Sequence, residues 1–220
     1  MSSHRIFRIN ENIKQLLSAI IFKEIEDPRI KNNLITITKV DTDKDLKNAK
    51  VFFVCLNEDK KDEVLSGLKD AEIDFVVSVP CVNLSKLLEM VDEDEEIMHI
   101  PVTREEEGIG ICAGAYMGGR KPAILMQNSG LGNSINALKS LMELYKFPLV
   151  IIISHRGTEG ETICGQIPMG ESTPRLLNAM DFHFFEPTNS ETAYEDVKNA
   201  WKLSVEEGKP VSVLLEIKYW

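Results

Sequence analysis

The sequence predicts an open parallel sheet wound with helices on both faces, of the α/β class, preceded by a small α+β segment of one helix and a hairpin. Three observations carry this expectation. From Ile73 onward, short strands that are apolar throughout recur along the chain, and strands of that kind are buried on both faces. Helical patterns separate them, which is the βαβ alternation of parallel sheets. Before Ile73 the rhythm differs, with a long amphipathic helix followed by two strands that alternate apolar and polar residues.

Taken in order, Ile9, Ile13, Leu16, Leu17, Ile20 and Ile21 keep the spacing of one helical face across Arg8–Ile25. The run "EDPRI" ends that helix, because a proline disfavours helix in the residue before it. "LITITKV" (Leu34–Val40) and "AKVFFVCL" (Ala49–Leu56) flank the polar turn "DTDKDLKN" and read as a hairpin. "KKDEVLSGLKDA" (Lys60–Ala71) is a second amphipathic helix. The apolar strands follow: Phe75–Pro80, Ile97–Val102, Lys121–Gln127, Pro148–Ser154, Phe182–Pro187 and Pro210–Ile217. Helical patterns lie between them at Leu84–Val91, Glu105–Tyr116, Asn133–Tyr145, Thr173–Met180 and Ser190–Glu206. The change of rhythm divides the chain into residues 1–62 and 63–220.

The bulk numbers fit a soluble globular chain: 220 residues, 43% hydrophobic and 27% charged, enough to bury a core. No apolar run approaches the roughly 18 residues of a membrane span, and the basic N-terminus has no apolar signal region behind it. Cys55, Cys81, Cys112 and Cys164 form no C-x-x-C pair and have no His at metal-ligand spacing. They read as buried thiols of a cytoplasmic protein, with no metal site expected. The net charge of −10 is uneven: residues 1–62 carry 12 Lys+Arg against 10 Asp+Glu, so the acidity belongs to the remainder. That argues against the larger part gripping a phosphate backbone.

In an open parallel sheet, ligands sit beyond the carboxyl ends of the strands. Here those ends carry "PCVN", "VTREEE", "QNSGLGN" and "SHRG". Glu105, Glu106 and Glu107 precede an uncharged run containing Gly108, Gly110, Ala113, Gly114 and Ala115. Thr103 and Glu106 have the spacing of a capping box, and carboxylates suit the first turn of a helix. The glycines cost roughly 1 kcal/mol each in helix stability, as expected of a helix that something must approach closely. "QNSGLGN" is a polar loop with a glycine turn at Gly130 and Gly132, offering Asn128, Ser129 and Asn133. It lacks the lysine of a phosphate loop. His155 and Arg156 at a strand end suit an anionic substrate, since arginine binds such groups in a fork. No G-x-S-x-G elbow supports a serine hydrolase. His99, inside a strand, reads as a core or helix-facing residue, and Trp201 and Trp220 read as packing.

"DFVVSVPCVNLSKLLEMV", "HIPVTREEEGIGICAGAYMGGRKPAILMQNSGLGNSINALKSL", "PLVIIISHRG" and "GQIPMGESTPRLL" together resemble the alpha subunits of sulfopyruvate decarboxylases. These are the pyrimidine-binding halves of thiamine-diphosphate enzymes of coenzyme M biosynthesis, related to phosphonopyruvate decarboxylases. The resemblance spans about residue 64 to the C-terminus. It implies a glutamate at the start of the small-residue helix that hydrogen-bonds the aminopyrimidine, and places Glu106 in that role, with Gly130 and Gly132 near the cofactor. It further implies decarboxylation of 3-sulfopyruvate to sulfoacetaldehyde, with Asn83, Asn128, Asn133, His155 and Arg156 on the substrate side. Nothing in the residues themselves separates a sulfonate from a phosphonate head group. The Gly-Asp-Gly motif that usually holds the diphosphate and Mg2+ is missing from the sequence. A beta subunit is therefore expected to supply that half of the site and most of the magnesium contacts.

"RINENIKQLLSAIIFKEIEDPRIKNNLITITKVDTDKDLKNAKVFF" resembles the first half of ribosome-binding factor A, a small KH-like protein. The kinked helix pair and third strand of that family do not follow. The segment is thus expected to pack as a partial module, without RNA binding.

Overall fold

Apolar strands buried on both faces need helices to cover them. The computed structural model, which describes residues 3–23, 35–43, 47–55 and 59–219, supplies those helices. The chain divides into two units, Met1–Glu58 and Asp59–Trp220.

In the first unit, α1 (Ser3–Lys23) accompanies an antiparallel pair, β1 (Ile35–Thr42) and β2 (Ala49–Cys55). Thr42 lies opposite Ala49 and Ile35 opposite Cys55, with a bulge between Ile37 and Lys39. Ile37 and Val40 are buried. Polar links tie helix to strand: Lys14 Nζ donates to the Thr38 carbonyl, and Asn10 Oδ1 accepts from both the backbone N–H and the hydroxyl of Thr42. The helix stop expected at Asp27–Pro28, part of the hairpin turn, and Trp220 lie outside the described residues.

The second unit holds α2 (Asp59–Asp70), β3 (Phe75–Ser78), α3 (Ser85–Glu93), β4 (Met98–Pro101), α4 (Glu105–Met117), β5 (Pro122–Gln127), α5 (Asn128–Ala137), β6 (Leu149–His155), α6 (Ile167–Ala179), β7 (Phe184–Phe185), α7 (Ser190–Glu207) and β8 (Pro210–Glu216). The six strands form one sheet in the order β4-β3-β5-β6-β8-β7, and every pairing is parallel. Alternation along each strand feeds two cores. Val76, Leu125, Ile152 and Val213 face one side with Leu68 of α2, Leu87 of α3 and Val197 of α7. Val77, Ile124, Ile151 and Leu214 face the other with Ile109 of α4, Leu131 of α5 and Leu177 of α6. The chain leaves β3 for β4 and returns to β5 on the opposite side of β3. This reversal opens a crevice beyond the carboxyl ends of β3 and β5, where ligands of such sheets bind.

Three elements differ from the sequence expectation. Residues 128–132 form no free glycine turn but the first turn of α5, which then widens into a π-helical segment, Leu138–Glu143. The strand expected over Phe182–Pro187 shrinks to the two residues of β7. Finally, α6 begins at Ile167, six residues before the expected Thr173, which leaves Pro174 inside the helix. Pro174 has no N–H for the carbonyl of Gly170 four residues earlier, yet that carbonyl is satisfied by His155 Nε2 at 3.0 Å. A hydrogen bond from another element thus compensates the proline.

Candidate functional site

The first turn of α4 carries the three glutamates, and the structure separates them. Its N-cap is Arg104, with no side-chain cap bond, so Thr103 and Glu106 form no capping box; the Thr103 hydroxyl instead lies 3.4 Å from Glu107 Oε2. Glu107 is exposed. Glu106 engages Arg104 through Oε1, whereas its Oε2 is buried and has no hydrogen-bond partner. Glu105 reaches the start of α5, where its Oε2 accepts from Asn133 Nδ2 at 3.3 Å. A Cβ at Gly130 would lie 2.3 Å from Glu105 Cγ and 2.5 Å from Oε1. With no Cβ, Gly130 lets the first turn of α5 come that near the carboxylate in its present position.

Around the β3–β5 crevice the polar groups are linked. Gln127, the last residue of β5, donates through Nε2 to Ser129 Oγ at 3.0 Å and to Gln166 Oε1 at 3.1 Å, and Cys81 Sγ lies 3.8 Å from its Oε1. Sequence reasoning missed Gln127 and Gln166. The first lay inside the quoted loop motif, but nothing local to either residue signals that α6 would come alongside. Asn83, in the short 3-10 turn after β3, is only 4% exposed, and both its amide nitrogen and oxygen lack a partner. An unpaired buried amide costs about 1–3 kcal/mol, so a ligand or partner group that satisfied it would be well rewarded. On the outer side of the same strand end, His99 bridges Ser78 Oγ (2.8 Å) and Asp92 Oδ1 of α3 (3.0 Å) beside a cavity of about 540 Å³. Ser78 is 1% exposed, so this relay ties strands to helix and offers no accessible nucleophile.

Of the other expected substrate residues, Asn128 and Arg156 are bonded within the fold, and His155 through one ring nitrogen. Asn128 is fully buried. Its Nδ2 donates to the Arg156 carbonyl and to Thr173 Oγ1, while its Oδ1 accepts from the Arg156 N–H. Arg156 forks onto Glu161, Nε to Oε2 at 2.6 Å and Nη2 to Oε1 at 2.8 Å, with the two side chains 8% and 2% exposed. Glu161 also accepts from the N–H groups of Gly157 and Ile163. The Arg156 bond, with those backbone N–H groups, holds its carboxyl down at about 2. The fork of Arg156, expected on the substrate side, is taken up here by a carboxylate five residues downstream. His155 is 3% exposed and bonded to Gly170. Asn133 and Gly132 are exposed, and nothing lies within 4 Å of a Cβ at Gly132.

The stripe of small residues along α4 also divides. A Cβ at Gly108 would press on Ile124, Val77 and Val102, so this glycine packs within the chain. Gly110 and Gly114 have open space before them, and Met117 on the same face is 74% exposed. No helix among the described residues is long and apolar enough to cross a membrane.

Residues 61–179 match the family described as thiamine pyrophosphate enzyme, N-terminal TPP binding domain, and residues 5–75 match ribosome-binding factor A. The chain is 54% identical over 157 residues to the sulfopyruvate decarboxylase subunit alpha of Methanococcus maripaludis, covering 71% of this chain and 94% of the relative. Identity to the subunit of that name from Methanocaldococcus jannaschii is 48%, covering 71% of this chain and 93% of the relative. Phosphonopyruvate decarboxylase of Streptomyces viridochromogenes is 36% identical over 123 residues, 56% of this chain and 31% of that protein. At the N-terminus, ribosome-binding factor A of Clostridium kluyveri is 44% identical over 73 residues, 33% of this chain and 60% of the relative. Among solved structures, benzoylformate decarboxylase from Polynucleobacter necessarius superposes with a TM-score of 0.53 at 20% identity, covering 73% of this chain and 30% of that one. This likeness speaks to the fold.

Proposed function

The chain belongs to the thiamine pyrophosphate enzymes, among the relatives of sulfopyruvate decarboxylase alpha subunits, and from that premise we propose that it is the pyrimidine-binding half of a 2-oxo acid decarboxylase acting on 3-sulfopyruvate. The observation that carries the proposal is the first turn of α4. There Glu106 keeps a buried oxygen without a donor, and its neighbour Glu105 lies against Gly130. Residues 63–220 carry this role in our reading.

Those groups fit the aminopyrimidine of thiamine diphosphate, which presents hydrogen-bond donors and a basic ring nitrogen. The sequence expectation names Glu106 as its partner, and the buried, unpartnered Oε2 of that residue supports the role. Its Oε1 is engaged by Arg104, which leaves Oε2 to meet the pyrimidine ring. A second reading gives the role to Glu105, which lies against Gly130 and is oriented by Asn133 through Oε2. When bound, thiamine diphosphate supplies a nucleophilic carbon and an electron sink for the departing carboxylate. The glutamate's part is that of a positioned acid–base group. Asn83 is the substrate-side candidate of this chain, since its amide is buried and unmet. Gly130 and Gly132 keep the backbone open beside the cofactor.

The diphosphate, its magnesium and the substrate's anionic charge are left to a beta subunit, with the bare face of Gly110, Gly114 and Met117 as the surface for it. A cytoplasmic place in coenzyme M synthesis follows from the same reading. The test mixes this chain with a beta partner, thiamine diphosphate and Mg2+ and follows carbon dioxide release from sulfopyruvate and phosphonopyruvate side by side. Preferred turnover of phosphonopyruvate would reassign the substrate, and no turnover of either would overturn the proposal. Residues 1–62 support a second reading through their match to ribosome-binding factor A: a small-subunit rRNA module. Salt-sensitive rRNA binding lost on deleting them would establish it; we expect none, given the near-neutral charge of the segment.

A further inference from the structure

We propose that the carboxyl ends of β6, β7 and β8 form a binding site for a divalent transition-metal cation, with His155, Glu186 and Glu216 as its ligands. His155 and Glu216 are register partners at the last residues of two adjacent parallel strands. Glu186 follows the two residues of β7 on the other side of β8. One ligand atom from each of the three lies within 4.8 Å of the others. The two carboxylates also line a cavity of about 340 Å³ together with Pro187, Thr188, Lys218 and Tyr219.

Acidic groups at a surface gather without binding anything, so the histidine carries the inference. His155 is 3% exposed, and its Nδ1 is buried without a hydrogen-bond partner. Its other nitrogen is fixed: Nε2 lies 3.0 Å from the Gly170 carbonyl. A carbonyl only accepts, so the neutral ring carries its proton on Nε2 and its lone pair on Nδ1. Orientation of one ring nitrogen by a backbone carbonyl is the usual companion of metal ligation by the other. Pro174 explains why that carbonyl is free, since it has no N–H to give it. The Lys218 ammonium, which would oppose a cation, is drawn away to Glu159. One imidazole and two carboxylates suit Mn2+ or Zn2+ better than Mg2+, which prefers oxygen ligands throughout. A cation there would tie the two-residue edge strand β7 to the centre of the sheet.

The experiment titrates the full chain, stripped by chelation and carrying Cys164→Ser to remove an exposed thiol, with Mn2+ alone. Calorimetry and the loss of free-Mn2+ paramagnetic signal are the readouts. Neither thiamine diphosphate nor a partner is present, so the outcome stands apart from the decarboxylase proposal. One ion per chain is expected. Glu216→Gln and His155→Ala should each weaken binding about tenfold or more, and Pro174→Ala, which offers Gly170 a competing donor while keeping every ligand, should also weaken it, by the roughly tenfold typical of a second-shell loss. Wild-type silence up to about 1 mM Mn2+, or affinity unchanged in both Glu216→Gln and Pro174→Ala, overturns the proposal. Those two variants keep the test decisive if His155→Ala does not fold.

Discussion

The loop after β6 and the first turn of α4 both lie at carboxyl ends of one sheet, and both concentrate charge, yet they are finished differently. After β6, Arg156, Glu161 and Asn128 satisfy one another, and the N–H groups of Gly157 and Ile163 are absorbed as well. Gly157, at φ +81, seals the arrangement, because a Cβ there would lie 2.2 Å from the Gln166 carbonyl. At α4 the accounts stay open: Glu106 Oε2 is unpartnered, as is the amide of Asn83 across the crevice, and Gly110 and Gly114 face nothing. The difference teaches that a charged strand end is not a site by virtue of its charge. Groups satisfied within the chain build the fold, and groups left unmet await something else.

The most severe way to break this comparison is to remove one carboxyl function from the open end. Glu106→Gln should lower turnover of the assembled enzyme by about two orders of magnitude, within the range of general acid–base contributions, with little change in melting temperature. Glu105→Gln should cost less. A larger loss in Glu105→Gln, measured as carbon dioxide release, would move the role to Glu105.

The closed end should respond in stability. Arg156→Ala strands a Glu161 carboxylate that is 2% exposed, which typically costs about 3–5 kcal/mol. Denaturant unfolding would reveal it, and turnover per folded molecule should persist. An undiminished stability would mean the pair is not the lock we describe.

The same pair sets an acid limit. Because the folded Glu161 carboxyl is depressed to about 2 from an ordinary 4.5, its share of stability is complete above about pH 4.5 and is lost as pH falls toward 2. Glu161→Gln should flatten that part of the pH–stability curve; equal acid sensitivity in both proteins would contradict it.

The mildest probe is Gly132→Ala. With open space before it and a helical backbone, alanine should stabilise the isolated chain by up to about 1 kcal/mol. A fall in activity despite that gain would show that the open space is used once the enzyme is assembled. An unaltered activity would free Gly132 from the site.

How much of this was legible beforehand depends on range. Strand composition gave the buried parallel sheet, since Val, Ile and Leu runs such as Leu149–Ile153 have no polar face to offer water. Local motifs located the strand-end loops and the run of glutamates. What stayed hidden was which loop closes on itself. That depends on Glu161 folding back to Arg156, on Thr173 reaching Asn128, and on a proline tolerated inside α6 because His155 takes up the slack. One residue of helical phase, about 100°, separates Glu105 from Glu106, and a string of three glutamates does not reveal which of them meets Gly130 and which keeps a buried oxygen unmet.

The bare face of α4 has a consequence for the cell. A chain holding Gly110, Gly114 and a protruding Met117 bare to water is sticky while it waits. Synthesis matched in amount to its companion, or swift clearance of any surplus, would spare the organism the clumping that orphan copies invite.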